Sequence, residues 1–243
     1  MEDNGNWRLT IGKITPASVW TAGSEAEALM PPGVEMWVIT QGLSEIDPDD
    51  IVPAREQRAE AARILDEWGV DCILSGGSPL SAIEGIEAEE EFLSEMGDEL
   101  SVPFTTGIRA EMDAFEALDA TDILAVTPYP DETNDIVGSY IEEHGFNIVH
   151  YGGQAIPDAT EVCNMPPHQI YELAKEAAEN VGTSYDAIYI PCATWRSADY
   201  IEAIECDTGR PVVTGLQAQV WKGLEFGGIN PETERYGQLF NTL

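Results

Sequence analysis

Positive charge is scarce in this chain. Its 243 residues include 45 Asp and Glu but only 11 Lys and Arg, which gives a formal net charge of −34 at pH 7. The acidic residues are spread along the chain instead of forming one tail. A field of this sign repels nucleic acid and anionic membrane surfaces, so neither is expected as a partner. Dispersed acidity keeps a protein hydrated in concentrated salt, and we therefore expect a halophile's cytoplasm as its setting.

Long apolar runs and closely spaced cysteines are missing too. No apolar stretch approaches the roughly 18 residues that a membrane span needs, and the first residues do not form a charged-then-apolar signal segment. The four cysteines have no C-x-x-C spacing and the three histidines no metal-ligand spacing, which argues against a metal site or a disulfide scaffold. We therefore predict a cytoplasmic protein with reduced thiols and no metal.

Two halves of the chain read alike in order. LTIGKITP near the start matches DILAVTP, and DCILSGGSP from Asp71 matches DAIYIPCAT from Asp186. A third pair follows, PFTTGIRA from Pro103 and PVVTGLQA from Pro211. The matched landmarks lie 112, 115 and 108 residues apart. An ordered repeat of near-constant period predicts a duplicated architecture.

Short apolar runs alternate with amphipathic helical patterns in each half. The runs VEMWVIT, DCILS, DILAVT, NIVHY, AIYI and PVVT mostly lack polar alternation, which is typical of strands covered on both faces. Helical stripes are predicted in PAREQRAEAARILDEWG, with Trp68 inward, and in PPHQIYELAKEAAENV. The alternation predicts an α/β fold of two pseudo-symmetric lobes, each a mainly parallel sheet flanked by helices. We expect residues 1–119, completed by residues 216–243, to form the first lobe and residues 120–215 the second.

The repeat also predicts where ligands bind. In parallel α/β sheets the ligand lies beyond the carboxyl ends of the strands. Two lobes related by a pseudo-twofold axis bring these ends together across one cleft, which we take as the active site. Gly77 and Cys192 both follow a predicted strand end, at matched places in the two halves. We therefore expect them to face each other across the cleft.

A thiol at this place has two interpretations. The helix predicted directly after Cys192 offers unpaired N–H groups and a positive dipole end, both of which favour thiolate. Such a cysteine serves as a nucleophile or, when protonated, as a proton donor to a carbanion. The alternative is a small buried apolar residue, but the matched placement favours function. Cys72 in a strand and Cys206 in a helix suit packing, and Cys163 falls in a loop that the pattern does not place.

Other groups near these strand ends suit a carboxylate ligand. Backbone N–H groups of Ser78, Ala193 and Thr194, at predicted helix starts, can bind an anion. Ser78, followed by proline, also reads as an ordinary N-cap. Thr127 and Tyr129 end a strand before a helix, which points their hydroxyls at the same cleft. The alternative for Tyr129 is that it covers the core.

The sequence resembles the aspartate/glutamate racemase superfamily and, within it, the branch of arylmalonate decarboxylases and maleate cis-trans isomerases. The resemblance spans nearly the whole chain, through IGKITP, GSPLSAIEG, AVTPYPDETN, IPCATWRSADYIEAIECDTGRPVVTGLQAQVWKGLEFGG and YGQLF. It implies two α/β lobes, no cofactor and cysteine chemistry at a carbon next to a carboxylate. Members typically carry one cysteine on each lobe, whereas Gly77 occupies the first of these places here.

That glycine favours one activity of the branch. Racemisation by two bases needs an acceptor on one face of the carbon and a donor on the other, which a single thiol does not provide. Maleate isomerases use the first-lobe cysteine as nucleophile, whereas arylmalonate decarboxylases have glycine there. The resemblance thus implies a cofactor-independent decarboxylase of a substituted malonate or similar dicarboxylic acid, whose enediolate intermediate is protonated by Cys192. The alternatives are an isomerase or racemase of a small dicarboxylate and a non-catalytic carboxylate-binding descendant.

The resemblance also implies the residues of the site. Pro79, Ala193 and Thr194 depart from the hydroxyl residue and the two glycines that the decarboxylases carry at these places, so we expect an altered substrate. The expected partner is a small dicarboxylate, and the expected assembly is a monomer or small homo-oligomer. The catalytic residue is Cys192, and the substrate-binding residues are Gly77, Ser78, Tyr129, Ala193, Thr194, Pro16 and Thr127.

The charge balance predicts a salt-dependent stability. The Debye length falls from about 10 Å at 0.1 M salt to about 3 Å at 1 M, so repulsion among the 45 acidic residues weakens as salt is added. We expect the free energy of unfolding, measured by urea titration, to rise steadily with KCl up to molar concentration. A stability that is flat or falls with salt would contradict salt adaptation.

Overall fold

The computed structural model describes residues 8–16, 22–42, 51–156, 158–231 and 236–243. Each half of the chain builds one four-stranded sheet, and all recorded strand pairs are parallel. The strand order is β2-β1-β3-β4 in the first sheet and β6-β5-β7-β8 in the second. This shared order confirms the predicted duplicated α/β fold. The strands are β1 Leu9–Pro16, β2 Val34–Gln41, β3 Cys72–Ser75, β4 Phe104–Thr106, β5 Asp122–Thr127, β6 Asn147–Gly153, β7 Ala187–Ile190 and β8 Val212–Thr214.

Helices flank both sheets. The predicted stripe of α8 is buried at four of its positions, from Ile170 to Ala178. Trp68 was predicted wrongly to point inward; it is 57% exposed because α2 ends at Glu67 and the chain turns at Gly69, whose φ is positive. The helices are α1 Ala22–Leu29, α2 Ile51–Glu67, α3 Ser78–Glu84, α4 Ile86–Glu99, α5 Gly107–Ala117, α6 Asp131–Glu143, α7 Ala159–Asn164, α8 Pro167–Val181, α9 Ile201–Thr208 and α10 Gly215–Phe226, with 3-10 turns at Ala198–Tyr200 and Gln238–Thr242.

An aspartate precedes the third strand of each half and makes the same bonds in both. Asp71 accepts a hydrogen bond from the N–H of Thr10 at 2.6 Å, and its own N–H donates to the Thr10 carbonyl at 2.8 Å. Asp186 likewise accepts from the N–H of Asp122 at 2.9 Å and donates to its carbonyl at 2.7 Å. Each aspartate therefore aligns the third strand of its sheet with the first, and the repeat extends from sequence to individual hydrogen bonds.

The last helix of each half contacts the sheet of the other half. Gly223 of α10 lies against Ile11 of β1, where an added Cβ would meet the Ile11 Cδ1 at 2.6 Å. Phe115 of α5 packs edge-to-face on Tyr189 of β7, with ring centroids 5.2 Å apart. The two sheets are thus joined through α5 and α10. The lobe boundaries at residues 119 and 215 stay a prediction.

The expectation that strands are covered on both faces holds for β3, β7 and β8, whose residues are all buried. It is wrong for β2 and β6, the edge strands at matched places in the two sheets, which are partly exposed. Among the described residues, no helix is both long and apolar enough to cross a membrane. The expected lack of a signal segment concerns residues 1–7, which lie outside the described ranges.

Gly215 provides a test of how α10 contacts the loop that carries Cys192. A Cβ added at Gly215 would lie 2.3 Å from the carbonyl oxygen of Pro191. We therefore expect Gly215→Ala to lower the free energy of unfolding by about 1 to 3 kcal/mol, as overpacking does. Gly97→Ala in α4 is the matched control, because nothing lies within 4 Å of its added Cβ, and it should gain up to about 1 kcal/mol. Urea titration measures both, and an unchanged Gly215→Ala protein would contradict the contact.

Candidate active site

Cys192 lies two residues beyond the end of β7, in a turn. The N–H of Trp195 donates to the Cys192 carbonyl at 3.0 Å and closes this turn. The helix predicted directly after Cys192 is therefore wrong, since the 3-10 turn starts at Ala198 and α9 only at Ile201. The Trp195 side chain is 1% exposed, and burying it turns the chain inward before the helix begins. Ala193 and Thr194, which were predicted at a helix start, belong to this turn instead.

Hydroxyl and amide groups surround the thiol of Cys192. Its Sγ lies 2.8 Å from Oγ1 of Thr194, with either atom able to donate. The N–H groups of Thr194 and Trp195 and the hydroxyl of Tyr129 also stabilise the thiolate by hydrogen bonds. Burial nevertheless raises the pKa of Cys192 above its ordinary value, because the hydrogen bonds oppose the effect only in part. The group is therefore a protonated thiol at neutral pH, which suits a proton donor better than a nucleophile.

The loop after β5 brings Tyr129 to the thiol. Thr127 Oγ1 donates to Oδ1 of Asn134 at 2.7 Å and accepts from the N–H of Tyr129 at 3.3 Å. The Asn134 side-chain amide donates to the Tyr129 carbonyl at 3.2 Å and completes the loop. The hydroxyl hydrogen of Thr127 is used in the bond to Asn134, so Thr127 acts by positioning Tyr129. A contact between Thr127 and a substrate stays a prediction. Burial raises the pKa of Tyr129 well above its ordinary value, which keeps the phenol protonated.

Gly77 and Pro16 meet at the carboxyl ends of β3 and β1. Gly77 has a φ of 99°, in the left-handed region, and an added Cβ would lie 3.2 Å from Cγ of Pro16. Gly77 is the N-cap of α3, so the interpretation of Ser78 as the cap is wrong. Because Ser78 is already inside the helix, its hydroxyl turns to another partner and donates to Oε1 of Glu111 at 2.7 Å.

Glu111 of α5 joins the two loops at the strand ends. Its side chain is fully buried. Oε1 accepts from Ser78, which follows Gly77, and Oε2 accepts from the hydroxyl of Tyr189, three residues before Cys192. The segments that carry Gly77 and Cys192 therefore converge on one carboxyl.

Lys13 of β1 supplies a positive charge near Glu111. It is 2% exposed, and its Nζ lies 2.7 Å from where a Cβ at Gly76 would be. Burial lowers the pKa of Lys13 to about 7 and raises the pKa of Glu111 to about 7, and the charge of each opposes the shift of the other. Lys13 and Glu111 therefore both titrate near neutral pH.

The sequence interpretation did not include Lys13 or Glu111, although the pattern held a signal for both. Glu111 lies on the inward stripe of α5 that Ile108, Met112 and Phe115 define, so it is an acid at an apolar position. Lys13 stands inside an apolar strand, in a chain that has only three lysines. Charged residues at such places are rarely buried without a partner.

The other three cysteines differ in their burial and in the element that carries them. Cys72 is buried in β3, as predicted, whereas Cys206 is exposed on α9, so its predicted packing role is wrong. Cys163 was predicted to fall in a loop, which is wrong, since it is buried in α7. Its pKa is raised by burial and then by the nearby Cys192, and a hydrogen bond with the side chain of Thr194 lowers it in part. A second thiol thus lies beside the residue that contacts Cys192.

Metal ligation gains no support from the part of the chain that the structure describes. No group of three or more His, Cys, Asp or Glu side chains there is arranged to hold an ion. His144, directly after α6, has its Nδ1 2.9 Å from the carbonyl oxygen of Tyr140.

Sequence comparisons match almost the entire chain. A family model described as arylmalonate decarboxylase matches residues 11–240. The maleate isomerase of Nocardia farcinica is 28% identical over 222 residues, which cover 86% of each chain. A maleate isomerase of Pseudomonas putida is 23% identical and covers 95% of this chain and 96% of its own.

Solved structures share the fold. A crystal structure of arylmalonate decarboxylase has a TM-score of 0.85 at 22% identity and covers 96% of this chain and 100% of its own. A variant of the maleate isomerase Iso from Pseudomonas putida S16, solved with maleate, has a TM-score of 0.87 at 20% identity and covers 96% and 98%. These matches confirm the two-sheet α/β architecture over both halves.

Proposed function

The chain belongs to the arylmalonate decarboxylase family, and from this premise we propose that it is a cofactor-independent decarboxylase of a substituted malonate or similar dicarboxylic acid. The observation that carries the proposal is the protonated, partly exposed thiol of Cys192 beyond the end of β7. Its counterpart in the repeat is Gly77, which offers no acid or base. One proton donor without an opposing partner fits a reaction in which a carbanion is formed by loss of carbon dioxide.

The first step breaks a carbon–carbon bond. One substrate carboxylate is held by the N–H groups of Ala193 and Thr194 and the hydroxyls of Tyr129 and Ser78. The other lies against the apolar contact of Pro16 with Gly77, where it is poorly solvated. The bond from the α-carbon to this second carboxylate breaks, carbon dioxide leaves, and the electron pair moves into the held carboxylate. Preorganised donors stabilise the resulting enediolate, as in an oxyanion hole.

The second step moves one proton. The S–H bond of Cys192 breaks, a C–H bond forms at the α-carbon, and the thiolate stays behind. The hydroxyl of Thr194 and the N–H of Trp195 stabilise that thiolate until it takes a proton from solvent. Because the pKa of the resting thiol is raised, each turnover begins with the proton in place. Delivery from one side gives a product of one configuration.

Cys192→Ala tests the proton donor. We expect protonated product to form at least about a hundredfold more slowly, since a positioned acid contributes about 10²- to 10⁴-fold, while circular dichroism stays unchanged. Carbon dioxide release and product formation from a panel of substituted malonates are the measurements. Cys206→Ala removes an exposed thiol and should retain full activity. Turnover by Cys192→Ala at the original rate would remove the thiol from the mechanism.

Gly77→Cys tests whether the two repeat positions face one substrate. A folded variant with thiols on both sides should exchange the α-proton of a chiral α-aryl acid in heavy water and racemise it. The left-handed backbone and the Pro16 contact will cost about 1 to 3 kcal/mol of stability, so thermal melts accompany the assay. A folded variant that exchanges no α-proton would contradict the opposed placement.

An isomerase of the maleate type is the second candidate. The relatives at 28% and 23% identity are both maleate isomerases, and Cys163 places a second buried thiol near Cys192. In this alternative Cys163 stands in for the thiol absent at Gly77. Fumarate formation from maleate, set against carbon dioxide release from malonates, separates the two reactions. Binding of either acid without turnover would instead indicate a carboxylate-binding descendant.

A further inference from the structure

The buried pair of Lys13 and Glu111 takes no part in the proposed proton transfer, yet it contacts the proposed substrate site directly. Glu111 Oε1 and the Ser78 hydroxyl lie 2.7 Å apart. Glu111 Oε2 accepts a hydrogen bond from the hydroxyl of Tyr189, and both Glu111 oxygens are buried away from solvent. A charged group in this position needs a reason beyond packing, since an apolar residue would fill the same space without a desolvation penalty.

Building on the proposed function, we propose that Glu111 is a positioning residue whose protonation decides whether the Ser78 hydroxyl can donate to a bound carboxylate. An ionised carboxyl only accepts hydrogen bonds, so Ser78 and Tyr189 must both donate to it, and the one hydroxyl hydrogen of Ser78 is consumed. A protonated Glu111 donates its own hydrogen to Ser78 Oγ. The Ser78 hydrogen is then free to reach the substrate.

Charge acts in the same direction as hydrogen bonding. An ionised Glu111 repels a dicarboxylate ligand in the site beside it, whereas the protonated form does not. The titratable groups that face Glu111 from other elements are Lys13 of β1, Glu89 of α4, Tyr140 of α6, Tyr189 of β7 and Tyr129 of the loop after β5. Burial raises the pKa of Glu111 to about 7, Lys13 lowers it and Glu89 raises it. Tight binding is therefore expected below about pH 7 and weaker binding above.

The experiment measures phenylmalonate binding by calorimetry from about pH 6.5 to 9, where this ligand is largely a dianion. Cys192→Ala serves as the background, because it removes the titrating thiol and slows turnover. In this protein the affinity should fall at least about tenfold across the range, the effect expected for loss of a hydrogen bond to a charged group. Adding Glu111→Gln should remove most of this fall, since the amide donates to Ser78 and accepts from Tyr189 at every pH. Loss of the Glu111 charge also lowers the pKa of Lys13 further, so Lys13 contributes less of its own titration across this range.

Glu89→Gln is the matched control for removing a buried carboxylate. Glu89 is fully buried and accepts from the hydroxyls of Thr106 and Tyr140 but from no predicted site residue. This variant should keep the pH dependence, with its midpoint lowered because a neighbouring negative charge is gone. Lys13→Met should raise the midpoint, because the positive charge that favours ionised Glu111 is lost.

The outcomes separate this inference from the proposed function. A pH-independent affinity in the background protein, or an unchanged pH dependence with Glu111→Gln, overturns the role of Glu111 while malonate turnover by the unmodified enzyme stands. Binding that follows the predicted profiles in a protein that decarboxylates no malonate supports Glu111 and overturns the decarboxylase. Binding of neither phenylmalonate nor maleate overturns both. Should Glu111→Gln fail to fold, Ser78→Ala in the same background must bind weakly and with a much smaller pH dependence, and retained tight binding would overturn the proposal.

Discussion

Buried carboxyls hold the two halves of the chain together around the candidate site. They belong to the first half and accept hydrogen bonds from the second. Glu111 accepts a hydrogen bond from the hydroxyl of Tyr189, and Glu89 accepts one from the hydroxyl of Tyr140. Glu25 accepts one from the backbone N–H of Ala198 at 2.6 Å. A buried carboxyl without donors is costly, so each of these contacts fixes the position of its partner. The halves cannot shift relative to each other without stranding a carboxyl away from water.

This constraint explains the geometry around Cys192 better than a helix dipole does. Glu25 of α1 holds the 3-10 turn that follows the Cys192 turn, and burial raises its pKa to about 7. Glu111 holds Ser78 on one side and Tyr189 on the other. The loops at the ends of β3 and β7 are thus both anchored to carboxyls of the first half. These hydrogen bonds fix the positions of the loops that carry Gly77 and Cys192.

The sheets could be predicted from the sequence because their cause is local and repeated. Apolar runs bounded by turn residues, and an aspartate before the third strand of each half, are visible without knowledge of distant contacts. The helix after Cys192 and the Ser78 cap could not be predicted correctly, since both depend on tertiary partners. Trp195 is drawn into the core, and Ser78 bonds to a residue 33 positions away. Sequence periodicity carries no information about such partners, so the repeat pointed to the candidate site but not to its hydrogen bonds.

The charges of Lys13 and Glu111 respond to salt differently from those of the acidic residues on the surface. Surface carboxylates interact through solvent and are screened by salt within a few ångströms at molar concentration. The buried pair is shielded from that screening, so its balance is set by burial and by the few charges that face it. Removing one member shifts the pKa of the other further from its ordinary value, because the charge that opposes the effect of burial is lost. The protonation of this part of the candidate site therefore depends on both residues together.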